Sequence, residues 1–371
     1  MPIKPYIYQK PDWPTFRWSN EELITPLAKA RNLQGNLVGK MQGLGFDLQN
    51  EAVLETITQD VIKSTEIEGE KLDPNQVRSS VARRLGMQVS GMIKSDHNVE
   101  GAVEMLMDAT QNFDEKLTKV RLYGWQNALF PGGMSGINKI SVGKWRDDKK
   151  GPMIVESGPI GKEKIHFEAI AAEKLPEEMK TFLKWFNDEN SLDPFIKAGI
   201  AHLWFETLHP FDDGNGRVGR ALIDLLLARA DDIPKRYYSM SSQIKVQKNE
   251  YESILEKSQQ GTLDITKWLL WFVQCLQNSL QASDNILVKV LYKHKFWSKH
   301  NSDNQNARQR KILNMLLDNF DGKLTTKKWG KICKCSHDTA LRDIQSLIEK
   351  KILQKEKAGG RSTNYELVYI K

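Results

Sequence analysis

The sequence predicts a mainly α-helical protein with one short β-hairpin near its middle and a unit of three helices closed by a second hairpin at its end. Three observations carry that reading. Apolar residues recur at helical spacing over long stretches, as in Val53, Ile57 and Val61, or Val218, Ala221, Leu222, Leu225 and Leu226. Short extended runs flank turn residues in two places. Met153 to Glu156 and Lys164 to Phe167 flank the turn residues Ser157 to Gly161, and Ile352 to Gln354 is parted from Tyr365 to Tyr369 by Gly359-Gly360-Arg361. Finally, 371 residues are too many for one compact core, so two or three domains are expected.

In chain order, Tyr6 to Trp18 is rich in aromatics and proline and reads as an extended arm. Helical patterns follow from about Asn20 to Met87. Within them, Ser64 and Glu68 continue the apolar stripe of Val53, Ile57 and Val61, and Gly69 is placed to cap the helix end. A serine and a glutamate on a buried stripe need a partner, because an unpaired buried carboxylate is costly; the alternative is that this end of the helix emerges into water. Pro176 to Asn187 and Asp193 to Leu208 are further helices, the second with Asp193 as N-cap and Pro194 at its first position. Phe195, Ala198, Leu203, Trp204 and Phe205 supply its core face, and His202 on it reads as a structural histidine. The last domain begins near Asn306. Ile312, Met315 and Leu316 mark one helix, Thr326 to Cys333 a second, and Ser336 caps a third that carries Thr339, Arg342, Ile344 and Leu347.

The chemistry is concentrated in His209 to Arg220, His-Pro-Phe-Asp-Asp-Gly-Asn-Gly-Arg-Val-Gly-Arg. A glycine-rich loop feeding a helix presents free N–H groups and the positive end of the dipole, which favours an anion. Arg217 and Arg220 lie three apart on the first turn, where cations oppose the helix dipole unless a polyanion sits there. With a nucleotide in that place, His209 can serve as general base and Asp213 as a ligand for the accompanying magnesium.

These residues resemble the signature of the Fic family, His-Pro-Phe-x-Asp-Gly-Asn-Gly-Arg-x-x-Arg, at every specified position. The resemblance implies a Fic helical core and transfer of AMP from MgATP to a Ser, Thr or Tyr hydroxyl of a protein, itself included. It implies His209 as the base, Asp213 holding Mg²⁺, Gly214, Asn215 and Gly216 cradling phosphate, Arg217 and Arg220 on the departing phosphates, and Phe211 anchoring the loop. Ser64-Thr65-Glu66-Ile67-Glu68-Gly69 is similar to the family's inhibitory motif, so Ser64, Glu68 and Gly69 would hold the enzyme silent through Arg220. Gly143-Lys-Trp-Arg146 resembles the family's lead-in, and the hairpin with Ile154, Val155, Glu156 and Ser157 its target-binding flap. Tyr251 and Gln259 correspond to residues that hold adenosine, although Glu252 stands where many relatives have a second aromatic.

The terminal unit is similar to a winged helix-turn-helix, which would place His337, Thr339, Arg342 and the wing residue Arg361 against DNA, although winged helices also serve as protein-interaction modules. Charge agrees: from Asp303 onward 15 Lys and Arg face 8 Asp and Glu, and the remainder of the chain is neutral. The expected organisation is an N-terminal helical extension with the inhibitory motif (1–100), a catalytic core (101–285) and the winged helix (303–371). Composition is that of an ordinary soluble protein, no apolar run is long enough for a membrane span, and no signal-peptide core opens the chain, so a cytoplasmic location is expected. Cys275, Cys333 and Cys335 give neither an even disulfide framework nor zinc spacing. The expected partners are a target protein with an acceptor hydroxyl, DNA, and a second copy in a homodimer. Removal of AMP from a modified protein, transfer of another phosphate-containing group, and an ATP-sensing transcription regulator are the rival functions. Retention of His209 argues against the last, since a sensor needs no base.

Overall fold

The structure, a computed structural model, describes residues 5–87, 92–149, 151–158, 164–188, 191–300, 304–318, 320, 322–356 and 363–369. Arg361 with the turn Gly359-Gly360, and the tip of the middle hairpin from Pro159 to Glu163, lie outside the described residues. The chain divides into two compact units, Met1–Leu85 with Lys94–Asp284, and Asn285–Lys371 with Gly86–Ile93.

The first unit begins with α1 (Asn20–Gln42), α2 (Phe46–Ile67), α3 (Pro74–Arg84), α4 (His97–Gln111) and α5 (Lys119–Leu129). Two antiparallel hairpins follow: β1 (Met134–Ser135) with β2 (Asn138–Lys139), and β3 (Ile154–Ser157) with β4 (Lys164–Glu168). Then come α6 (Leu175–Asp188), α7 (Pro194–Leu208), α8 (Asn215–Asp231), α9 (Met240–Val246), α10 (Lys248–Gln259) and the start of α11 (Thr266–His300). The second unit takes the rest of α11, then α12 (Ala307–Asp318), α13 (Thr326–Cys333), α14 (His337–Glu349), β5 (Leu353–Lys355) and β6 (Tyr365–Leu367).

Local capping patterns account for six of the helix starts in the first unit. Ser19, Asp73, Asp96, Thr118, Asp193 and Ser239 each accept a backbone N–H from the first turn of the helix they precede. The arm ahead of α1 is extended only in part. Gln9 folds back so that its side chain accepts the Tyr6 N–H, closing a 3₁₀ turn over Ile7–Gln9 that buries Ile7. Further on, Arg17 pairs with the backbone of Leu263 and Ile265. The β1–β2 hairpin has two residues per strand, too few to leave an alternating pattern in the sequence.

α7 is apolar nearly all round and is buried from Phe195 to Leu208, as a helix through the centre of a core must be. It packs along α8, while α2 packs against α9 and α8. The motif therefore sits between two helices that are buried along most of their length and packed on each other. In the second unit Phe296, Ile312, Leu313, Trp329, Ile344, Leu347 and Leu353 form a separate core. A single bridge from Leu324 to Tyr365 extends its hairpin. This unit holds 19 Lys and Arg against 8 Asp and Glu, leaving 35 against 39 in the first. The charge asymmetry seen in the sequence is thus sharper across the structural boundary.

Candidate active site

α7 stops where Pro210, with no N–H to give, follows His209. His209 closes the helix in the left-handed region (φ 47°, ψ 59°), its own N–H still donating to the Phe205 carbonyl at 2.9 Å. A non-glycine residue held there is uncommon and has to be supported by its surroundings. Arg146 supplies that support. Its Nε donates to the His209 carbonyl at 2.8 Å, its backbone N–H to the Pro210 carbonyl at 2.9 Å, and its Nη2 to the Ile170 carbonyl, while Nη1 pairs with Asp148 at 2.7 Å. Sequence reading placed Arg146 in a lead-in without giving it this task.

Burial, and after it the Arg146 charge, lower the His209 imidazole from the usual 6.5 to about 4. The ring is therefore neutral at pH 7 and, with 18% of its side chain exposed, can take a proton from a group that approaches it. Glu206 lies one turn back on α7, its Oε2 4.0 Å from His209 Nδ1. Burial raises that carboxyl to about 8, so it is largely protonated at neutral pH. His202 is fully buried, lowered to about 3 by burial, and bonded through Nε2 to the Tyr251 hydroxyl at 2.9 Å, which fits the structural role expected of it.

The loop is stapled from within. Asn215, 2% exposed, accepts the Phe211 N–H (2.9 Å) and donates to the Phe211 carbonyl (2.8 Å), so its side chain is used on the loop. Phe211 is fully buried against Trp145 and Phe205, as an anchor should be. The two aspartates divide: Asp212 accepts the Ser141 N–H at 2.8 Å, whereas Asp213 keeps 40% of its side chain exposed and accepts from the Ser135 hydroxyl of β1 and from the Gly214 N–H. Gly214 has φ 88°, and a Cβ there would lie 2.8 Å from the Phe130 ring, so glycine is required twice over. No side chain caps α8, which leaves its first turn open to an anion.

An anion from the same chain is there. Glu68, just past the end of α2, places Oε1 2.7 Å from Arg220 Nη2. Ser64 accepts from Arg220 twice, at Oγ and at its carbonyl, both at 2.9 Å. A Cβ on Gly216 would fall 2.3 Å from Glu68 Oε1, so the missing side chain is what makes room for the carboxylate. Burial alone would raise the Glu68 carboxyl, but Arg220, and more weakly Arg217 and Lys248, outweigh it and hold the group below its ordinary range. Arg217, only 6% exposed, stacks 4.8 Å over Phe130 and pairs with Glu70 Oε2 at 3.1 Å. Lys245 and Lys248 donate to the Glu66 and Ile67 carbonyls, both at 2.6 Å, and so cap the end of α2 with cations. Gly69 follows with φ 86°, the left-handed turn expected after a helix end.

Tyr251 and Gln259, 5% and 4% exposed, are both buried on α10 and offer little surface in this arrangement. In the middle hairpin, among the described residues, β3 pairs with β4 alone, with a bulge at Val155/Glu156 and Ser157 opposite Lys164. Tyr6 packs edge-on to Phe167 at 4.9 Å behind it. In the second unit His337 and Arg342 are exposed on α14, but the Thr339 hydroxyl is engaged with Ser336 at 2.9 Å. All three cysteines are free. Among the described residues no helix is long and apolar enough to cross a membrane, and no group of three or more His, Cys, Asp or Glu is poised to hold a metal.

Residues 116–227 match the Fic/DOC family, and residues 6–87 match a domain of unknown function (DUF4172). Among curated proteins, the chain is 27% identical over 226 residues to a protein adenylyltransferase fic-1 of Caenorhabditis briggsae, covering 57% of this chain and 42% of that one. It is 38% identical over 81 residues to fic-1 of Caenorhabditis elegans, covering 20% and 16%. The chain thus spans less than half the length of these relatives. Among solved structures, a Fic family protein from Desulfovibrio desulfuricans G20 superposes with a TM-score of 0.53 at 18% identity, over 94% of this chain and 97% of that one. A Fic domain containing signaling protein from Bacteroides thetaiotaomicron VPI-5482 gives 0.51 at 20% identity, over 70% and 97%. Both likenesses concern the fold.

Proposed function

Because the chain is a Fic family protein, with its Fic/DOC domain at residues 116–227, we propose that it transfers AMP from ATP to a hydroxyl of a protein and is held silent by the segment Ser64–Gly69. The observation that carries the reading is the uncapped start of α8, where Arg220 already grips a carboxylate in the space left by Gly216. That seat accepts an oxyanion, and the triphosphate of ATP supplies such groups.

His209, neutral and partly exposed, takes the acceptor's proton as its oxygen attacks the α-phosphorus. The N–H groups of the Gly214–Gly216 turn and the two arginines hold the phosphates whose charge grows as pyrophosphate leaves. Asp213 suits Mg²⁺: its carboxylate is exposed beside Arg217, and one carboxylate completed by substrate phosphates is the usual way this ion is held. When bound there, the ion would neutralise phosphate charge. With Glu68 on Arg220, ATP would seat its phosphates out of line with the acceptor, and small misplacements cost large factors in rate. Tyr251 and Gln259 would meet adenosine only after α10 exposes more of them than the 5% and 4% seen here, and the outer edge of β3 would hold an extended target segment.

The excess of cations in the second unit, 19 against 8 acids, supports a polyanionic partner for it, which we take to be DNA read through His337 and Arg342. The central test is His209→Ala. AMP incorporation should fall by about 10²–10⁴-fold while ATP binding by calorimetry stays near wild type; transfer at the normal rate would remove His209 from the chemistry.

A further inference from the structure

The inhibitory motif read from the sequence ends at Gly69, and its carboxylate Glu68 bonds to only one of the two arginines of α8. The other is also occupied. Arg217 Nη1 meets Glu70 Oε2 at 3.1 Å, with the Phe130 ring under the guanidinium and Asp213 Oδ1 at 4.0 Å from Nη2. We propose that Glu70 is a second inhibitory carboxylate, covering Arg217 as Glu68 covers Arg220, so that one short segment fills both cation positions of the triphosphate site. This rests on the adenylyltransferase reading above.

The geometry explains how two carboxylates so close in sequence reach two arginines a turn apart. α2 ends at Ile67, Lys245 and Lys248 fix its last carbonyls, and the left-handed Gly69 turns the chain so that Glu70 returns to the same helix start as Glu68. The two contacts differ in depth. Arg220 is 2% exposed and also bonded to Ser64, whereas Glu70 keeps half of its side chain in solvent. Glu70 is therefore the outer and weaker member, more screened by salt and the first to yield to an incoming phosphate. Because Arg217 is assigned to the phosphates that depart, Glu70 should compete with ATP and not with AMP.

The test measures nucleotide affinity by calorimetry in full-length His209→Ala protein, so that no transfer intrudes. Added to that background, Glu70→Gln should tighten ATP about two- to five-fold, the range of a screened ion pair, and leave AMP unchanged. The gain should shrink at high salt and persist when Glu68→Gly is also present. Equal tightening of ATP and AMP would mean that Glu70 acts through the fold, and no change in either would mean that the Arg217 contact does not compete; each overturns the inference alone. Failure of every variant, Glu68→Gly included, to bind ATP at all would overturn both this inference and the adenylyltransferase reading.

Discussion

Two helix starts in this chain were expected to meet polyanions, and they are built in opposite ways. α14 completes itself: Ser336 accepts the Thr339 N–H at 3.2 Å, and Asp338 sits in the first turn where the dipole favours an acid. α8 does neither. It has no side-chain cap, no acid in its first turn, and an arginine there instead. The difference shows which helix start is chemically unfinished. At α8 an anion has to come from elsewhere, and Glu68 and Glu70 bring it from 152 and 147 residues away in the chain. At α14 nothing is missing, so an affinity for DNA would depend on exposed side chains and on the charge of the whole unit.

That contrast can be broken by experiment. The largest effect is expected where the borrowed anion is withdrawn: Glu68→Gly should raise AMP incorporation, on the protein itself and on lysate proteins, by about 10²-fold. A variant no faster than the parent would make Glu68 an ordinary helix-end carboxylate. A smaller change is expected at the exposed face of α14. Arg342→Ala should weaken DNA retention several-fold and reduce the slope of log affinity against log salt by about 1. Full-length protein that retains no DNA even at low salt would make the second unit a protein-binding module. Smallest is the loss of α14's own cap. Ser336→Ala should cost the second unit about 1 kcal/mol, read as a lower urea midpoint; an unchanged midpoint would mean that Thr339 or water replaces the serine without loss.

The parts of the site that lie together in sequence were legible in it. His209 to Arg220 declares itself because loop, base, acid and cations are contiguous, and Asp193-Pro194 and Ser336 announce helix starts by local rules that survive folding. The side-chain bonds of Asn215 were not legible, since an amide in a phosphate loop and an amide stapling that loop look alike in one dimension. Contacts made across the chain were hidden too. Arg146 holding the His209 carbonyl, Ser135 on Asp213 and Lys245 and Lys248 at the end of α2 join residues brought near one another only by packing. Glu70 was visible only as an acid beyond a motif, and its partner Arg217 was already spoken for by the expected nucleotide. The arm at Tyr6 to Trp18 misled through its composition, because proline and aromatics mark irregular backbone without distinguishing an extended strand from a 3₁₀ turn.

α2 carries Ser64 near its end and is buried along most of its length, so Glu68 is delivered by a packed 22-residue helix and not by a loose loop. On the proposed reading this makes the carboxylate a tethered competitor. Its local concentration is set by the geometry of the chain, in the millimolar range or above even for a flexible tether, and does not fall when the protein is diluted. ATP would then face the same rival at every protein concentration. The adjustable quantity is the fraction of time that the carboxylate stays on Arg220, because the helix that carries it is fixed by its packing.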